Sequence, residues 1–143
     1  MWNNFIEYWK KNMRKINKTE SEWKNILSEE EYYITRLKGT EAPFSGKIFD
    51  IKKAGIFKCI CCDSNLFESS TKYESGTGWP SFYETINAKA VEIKTDTSLG
   101  MIRKEIICAK CDSHLGHVFD DGPKPTGKRY CVNSLSINYE EFE

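Results

Sequence analysis

The chain has 143 residues, of which 39% are hydrophobic and 13% aromatic, and its 21 acidic residues balance its 21 basic ones. This length and composition predict one globular domain with a core of its own and exclude a disordered chain. The zero net charge does not favour nucleic-acid binding, and no apolar run reaches the length of a membrane span.

The first 18 residues differ from the rest of the chain. They lack the continuous apolar segment of a secretory signal, so we expect a cytoplasmic protein. Apolar residues from Trp2 to Ile16 recur at helical spacing, and the segment carries a net charge of +4 against −4 for the remainder. We interpret residues 1–18 as a basic amphipathic extension that either packs on its own acidic domain, residues 19–143, or frays. A membrane-surface or partner-binding helix is the alternative; we expect no membrane contact and no role in the chemistry.

Two short helices and a series of strands are predicted after the extension. Capping boxes begin at Thr19 and at Ser28, each with a glutamate three residues later, and Gly39 should follow the end of the second helix. Short strand-like runs then alternate with turn residues, and residues 120–127 are typical of a hairpin loop. The runs cover residues 46–50, 55–59, 90–95, 101–108 and 129–139. This pattern predicts a mainly β body made of antiparallel strands.

Four of the six cysteines form two C-x-x-C pairs. The segment CICCDSNL at 59–66 aligns without a gap with CAKCDSHL at 108–115. Two similar half-sites predict a tetrahedral zinc site, with buried or disulfide-bonded cysteines as the alternative. Four thiolates leave no open position for water, so this zinc should be structural. The predicted ligands are Cys59, Cys62, Cys108 and Cys111.

The two remaining cysteines have other surroundings. Cys61 aligns with Lys110, so we do not expect it to bind the metal. Cys131 lies in RYCVNS, where a strand would place Arg129, Cys131 and Asn133 on one face. A neighbouring guanidinium should lower the pKa of the thiol, as in a reactive cysteine. The strand pattern is equally compatible with a small apolar core residue.

The only two histidines, His114 and His117, follow the second knuckle directly. His114 takes the place of Asn65 in the repeat, whereas His117 has no counterpart in the aligned segments. They could extend the zinc ligands, lie in the core, or serve a nucleophile as proton donors. Because four thiolates already complete a zinc site, the third interpretation is favoured.

These motifs together resemble the B-type methionine sulfoxide reductases, the class that acts on the R epimer. The resemblance runs from about residue 19 to the end. It rests on both knuckles and on GTEAPFSGK (39–47), SGTGWPSF (75–82), HLGHVFDDGPKPTG (114–127) and RYCVNS (129–134).

The resemblance implies a fold, a cofactor and a set of site residues. The fold would be two antiparallel sheets, β-tent-like, with small N-terminal helices and one structural zinc per chain. Cys131 would be the nucleophile, and Trp79 and Phe119 would form the substrate pocket. The substrate would be methionine-R-sulfoxide in proteins or peptides, thioredoxin or another thiol would recycle the enzyme, and we expect a monomer. The polar catalytic positions would be His114, His117, Arg129 and Asn133.

One position departs from much of this family. Thr77 stands where many members carry the cysteine that resolves the sulfenic acid on the nucleophile. The sulfenic acid would therefore be reduced by an external thiol or by Cys61. Two other functions compete with the resemblance. A zinc-ribbon binding module would need no reactive cysteine, and a peroxide reductase would leave SGTGWPSF unexplained.

Overall fold

The computed structural model describes residues 16–49, 51 and 53–142. Within them the chain is mainly β, with two short helices and two antiparallel sheets, as predicted. No helix among these residues is long and apolar enough to span a membrane. The helices are α1 (Glu20–Ile26) and α2 (Glu29–Arg36). The strands are β1 (Gly55–Cys59), β2 (Asn65–Glu68), β3 (Lys72–Tyr73), β4 (Ser81–Phe82), β5 (Val91–Asp96), β6 (Arg103–Cys108), β7 (His114–Phe119), β8 (Arg129–Val132) and β9 (Ile137–Glu141).

Both helices begin at the predicted capping boxes. Thr19 and Ser28 each accept a hydrogen bond from the backbone amide three residues later, and the glutamates at those positions reciprocate. The predicted end of α2 is wrong by one residue, because Lys38 and not Gly39 takes the left-handed conformation, with φ of 60°. A Cβ at Gly39 would lie 2.3 Å from the ring of the exposed Tyr33, which would have to move.

The predicted N-terminal extension lies mostly outside the described residues. Residues 1–15 are among those not described, so its helical interpretation stays a prediction there. Residues 16–18 are not helical. Ile16 packs against the core, and its amide donates to the carbonyl of Lys110 at 2.6 Å. Ile16, at the end of the predicted extension, therefore contacts the body of the domain.

The core lies between the two sheets. The smaller sheet has the order β2-β1-β9, and the larger one has the order β3-β4-β8-β7-β6-β5. Phe57 of the smaller sheet packs edge-on against Phe82 of the larger one at 5.0 Å, and Phe67 stacks on Phe82 at 4.2 Å. All three rings are fully buried. These aromatic contacts hold the inner faces of the two sheets together.

Two predicted strands differ from the structure. The described residues 46–49 form no strand, because the amide of Lys47 donates to the Ser134 side chain instead of to a sheet. The run 129–139 is not continuous either. It ends as β8 at Val132, turns at Ser134–Ser136, and re-enters the smaller sheet as β9. This single crossing ties the two sheets together just beyond Cys131.

The repeat seen in the sequence is also a structural repeat. In each knuckle the first cysteine amide donates to a serine carbonyl, at 2.8 Å for Cys59 and 2.9 Å for Cys108. The following aspartates, Asp63 and Asp112, both take the left-handed conformation, with φ of 66° and 62°. Each knuckle is therefore the turn of a β-hairpin, β1-β2 in one case and β6-β7 in the other.

Candidate active site and metal centre

The two knuckles bring four thiols together. The sulfur atoms of Cys59, Cys62, Cys108 and Cys111 all lie within 4.8 Å of one another. The Cys59–Cys111 and Cys62–Cys108 sulfur pairs are each 3.6 Å apart. A tetrahedron with Zn–S bonds of about 2.3 Å has edges of about 3.8 Å, so the cluster is compatible with a zinc site. Cys61 is buried nearby but is not part of this group, as the repeat predicted.

Cys131 lies in a row of paired residues that crosses the larger sheet. Strand register places Ser81 and His117 on either side of Cys131. Tyr73 pairs with Ser81, and Glu105 pairs with His117 at the outer ends. Directly paired residues of adjacent strands point to the same face, so these side chains form one polar line. The fold thus brings the predicted nucleophile and a predicted proton donor together.

A β-bulge brings the second histidine to the same face. His114 and His117 are three residues apart, and a regular strand would point them in opposite directions. Ile106 pairs with Gly116 but Ile107 pairs with His114, which leaves Leu115 as an extra residue. The two imidazole centroids are therefore only 5.6 Å apart.

The first knuckle contains the same bulge, at Leu66. There Glu68 pairs with Ile56, as His117 pairs with Glu105 in the second knuckle. The interpretation that His117 has no counterpart is therefore wrong, because Glu68 takes its place in the structure. Both knuckle hairpins have this geometry, but only the β6-β7 hairpin carries histidines.

Burial raises the pKa of the Cys131 thiol. Arg129 and a hydrogen bond from Thr77 lower this pKa, but they do not outweigh burial, so the expected low thiol pKa is wrong for the free protein. Arg129 also interacts with Asp121 and Phe119, and not with Cys131 alone. Its Nε and Nη2 donate to the carboxylate of Asp121 at 2.9 and 3.1 Å, and its guanidinium lies 4.3 Å from the Phe119 ring centroid. Cys131 therefore rests as a thiol that the surrounding donors can help to ionise.

Each histidine has a carboxylate partner. His114 Nδ1 lies 2.6 Å from Glu105 Oε2, and His117 Nε2 lies 2.7 Å from Asp96 Oδ2. An ionised carboxylate only accepts, so each imidazole donates to it and its other nitrogen carries a proton only in the imidazolium. Burial lowers the pKa of His114, with Glu105 opposing, and hydrogen bonds from His117 and Ser98 lower the pKa of Asp96. Both rings are thereby held in one orientation.

The predicted pocket residues lie next to this row. Trp79 precedes Ser81 by two residues, and its indole N–H donates to the carbonyl of Glu41 at 3.0 Å. Phe119 lies 6.5 Å from His117, between ring centroids. Thr77 is close enough to Cys131 to lower the pKa of its thiol. The position of the missing resolving cysteine is therefore directly beside the nucleophile.

Asn133 is buried, and its side chain hydrogen-bonds two other segments of the chain. Its side-chain oxygen accepts from the amide of Glu41 at 3.1 Å, and its Nδ2 donates to the carbonyl of Leu115 at 3.3 Å. The carboxylate of Glu41 in turn accepts from Ser134 and from the amide of Leu135. The segment at 39–41 is thereby locked against the turn that follows Cys131.

A separate cleft of about 440 Å³ lies away from these groups. It is lined by Glu68, Thr71, Tyr83, Glu84, Thr85, Ile86, Asn87, Ala88, Thr126 and Tyr130. Tyr130 precedes Cys131 on β8, and adjacent strand residues point to opposite faces. The cleft therefore does not open onto the thiol.

Sequence reasoning missed five charged residues of the site. Glu105 left a weak signal, as an acid inside the apolar end of β6. Asp121 lies in the motif at 114–127 and Glu41 lies in the motif at 39–47, but the sequence indicates no partner for either. Asp96 and Lys38 left no signal, because their partners are distant in sequence.

Comparisons with known proteins agree with this arrangement. A family model described as the SelR domain matches residues 27–141. A protein of Methanosarcina barkeri named peptide methionine sulfoxide reductase MsrB is 54% identical over 90% of each chain. The chain belongs to the MsrB family. Relatives of the same name from Pseudomonas syringae and Acinetobacter baylyi are 58% and 56% identical; the matches cover 88% and 92% of this chain, and 96% and 94% of theirs.

The MsrB fold of this chain is shared beyond the family. The crystal structure of the Mis18 "Yippee-like" domain matches with a TM-score of 0.51 and 14% identity. The match covers 64% of this chain and 99% of that domain. At this identity the likeness shows the fold alone.

Proposed function

We propose that this MsrB chain reduces the R epimer of methionine sulfoxide in peptides, with Cys131 as nucleophile. The observation that supports it most is the row in which Cys131 lies beside His117, with His114 on the same face. A sulfoxide sulfur becomes electrophilic when its oxygen is protonated, and the site offers a thiol and two histidines for this purpose. The selectivity for the R epimer is proposed from the family resemblance.

The proposed reaction transfers one oxygen atom. The Cys131 thiolate attacks the sulfoxide sulfur while a histidine donates a proton to the oxygen. The oxygen leaves with the cysteine as a sulfenic acid, so the Cys131 sulfur is oxidised by two electrons and methionine is released. Trp79 and Phe119 would enclose the methyl group of the substrate. Arg129 would favour the thiolate, and Asn133 would hold the substrate oxygen or the turn behind the thiol.

We also propose one structural zinc, held by the four clustered thiols. Four thiolates leave no coordination position for substrate, so this zinc would take no part in the reaction. Zinc would supply the link between the β1-β2 and β6-β7 hairpins. We further propose a cytoplasmic monomer in which residues 19–143 perform the reaction and residues 1–18 do not.

An epimer assay tests this function. We expect the protein with dithiothreitol to convert the R form of a methionine sulfoxide peptide and to leave the S form unchanged. Chromatography measures the loss of each form. Loss of neither form would contradict the proposal and favour a zinc-ribbon binding module. Consumption of hydrogen peroxide without loss of either epimer would favour a peroxide reductase.

An external thiol, thioredoxin or another dithiol, would then reduce the sulfenic acid with release of water. Thr77 cannot form a disulfide with Cys131. Cys61 is buried in the main core with Trp23 and Leu27, between two residues of a tight knuckle. A disulfide requires Cα atoms within about 7 Å, which this position does not favour.

Cys61→Ser is therefore expected to retain thiol-dependent turnover within about twofold of the parent chain, since a small substitution away from the reacting atoms changes little. Mass spectrometry after one turnover without reductant should show a dimedone adduct on Cys131 in both proteins. A Cys61–Cys131 disulfide in the parent chain, with turnover lost in Cys61→Ser, would show that the knuckle supplies the resolving thiol.

A further inference from the structure

Lys38 joins the two histidine–carboxylate pairs. Its ammonium lies 3.2 Å from Glu105 Oε1 and 3.6 Å from Asp96 Oδ1. The second oxygen of each carboxylate is the one that holds a histidine. Both carboxylate side chains are buried, at 7% and 2% exposure, whereas that of Lys38 is 45% exposed. One lysine on the rim therefore contacts both buried acids.

The backbone of Lys38 is consistent with a role for its side chain. It takes the left-handed conformation with φ of 60°, which costs a non-glycine residue about 1 kcal/mol or more. A glycine follows immediately, yet the left-handed position is occupied by the lysine. Partial burial lowers the pKa of Lys38, but the contacts with Glu105 and Asp96 outweigh it and the pKa is raised. The ammonium is thus charged at neutral pH.

The charged groups around the two imidazoles come from five elements. Lys38 follows α2, Asp96 ends β5, and Arg103 contacts Asp96 from β6 at 3.5 Å. The others are Glu105 on β6, the two histidines on β7, and Cys131 with Arg129 on β8. Arg129 is itself paired with Asp121, and Lys94 lies opposite Glu105 on β5. Among the described residues, Lys38 is the cation that contacts both carboxylates.

We propose that Lys38 is a positioning residue for the proton donor: its ammonium holds the carboxylates of Asp96 and Glu105 against His117 and His114. This inference rests on the proposed function for its catalytic meaning, since the donor serves the sulfoxide oxygen. Without Lys38, each carboxylate would lose the ion-pair partner on its outer oxygen and would be free to turn away from its histidine.

The two imidazoles differ in burial, since His114 is 3% exposed and His117 is 9% exposed. Glu105, the partner of His114, makes the shorter contact with Lys38. Burial lowers the pKa of His114, and the charge of Lys38 adds to this effect. Removal of the Lys38 charge should therefore be visible at His114.

Nuclear magnetic resonance of the whole chain tests this, because the chain contains only two histidines. We expect Lys38→Met to move the titration midpoint of His114 to higher pH by about 0.5 to 1 unit, since a nearby positive charge has been removed. Lys38→Arg should titrate like the parent chain. Lys38→Gly should show the same shift as Lys38→Met, and glycine removes the backbone cost of the left-handed position.

The matched control is Lys94→Met. Lys94 lies opposite Glu105 in the strand register but makes no ion pair with any described residue. It should leave both midpoints within about 0.2 unit of the parent values. The proposal is overturned if Lys38→Met leaves His114 unchanged, if Lys38→Arg shifts it equally, or if Lys94→Met has the same effect.

A kinetic readout separates this inference from the proposed function. In Lys38→Met the alkaline limb of the pH profile of kcat/KM for an R-sulfoxide peptide should move to higher pH, because a positive charge near the proton donor has been removed. A shifted His114 midpoint with an unmoved limb would overturn the positioning role. Failure of the function would instead appear as no turnover in the parent chain.

Discussion

Cys131→Ser is expected to abolish sulfoxide reduction, lowering kcat by at least about a thousandfold. A serine hydroxyl does not ionise near neutral pH, and it cannot take the sulfoxide oxygen as a stable acid. The substitution replaces one atom in a half-buried side chain, so we expect Tm to change by only a few degrees. Steady-state turnover of an R-sulfoxide peptide and thermal unfolding measure both effects.

The zinc content of Cys131→Ser is the control for this result. Nucleophile and clustered thiols are separate in the structure, so the variant should keep about one zinc per chain. Cys61→Ser provides a matched cysteine substitution that should remain active. Measurable turnover in Cys131→Ser would exclude Cys131 as the nucleophile, and loss of its zinc would show that the ligand set is wrong.

Cys59→Ser is expected to lose zinc and to unfold. Cys59 is 1% exposed, and its sulfur lies 3.6 Å from that of Cys111 in the opposite knuckle. Structural zinc contributes about 10 to 16 kcal/mol of apparent binding energy, comparable to the whole stability of a domain of this size. Metal analysis and circular dichroism should show less than about one zinc per chain and a loss of β structure.

Chelation supplies an independent measurement of the same site. A strong zinc chelator should lower the Tm of the parent chain, and added zinc should restore it. Cys61→Ser should behave like the parent chain in both steps, because its thiol is outside the cluster. A folded, active Cys59→Ser protein without metal would rule out a structural zinc at this position.

Local patterns were sufficient for the helix starts, the hairpins and the metal cluster. Capping boxes and C-x-x-C knuckles act within six residues, so their geometry depends little on the rest of the chain. The two knuckles could be matched because the repeat carries the same backbone turn at Asp63 and Asp112. The prediction of a strand was wrong for the described residues 46–49 because a strand needs a partner, and the amide of Lys47 binds Ser134 instead.

The location of Cys131 in a reactive motif was also visible in the sequence, but its charge state was not. A pKa depends on burial and on every nearby charge at once. Arg129 lies on the same strand, so its influence could be predicted. The burial of Cys131 and the ion pair between Arg129 and Asp121 both arise from packing. Burial outweighs the charge of Arg129, so the pKa of the thiol is raised and not lowered.

The amino-acid sequence alone thus determines the reactive residue types, the knuckles and the antiparallel pattern. Only the tertiary structure decides how the histidines work together. A bulge at Leu115 turns His114 and His117 to one face, and Lys38 joins their carboxylates from the end of a helix about sixty positions away from Asp96 along the chain. The physical reason is that register shifts and ion pairs between distant segments depend on how strands pair and pack, which no local pattern encodes.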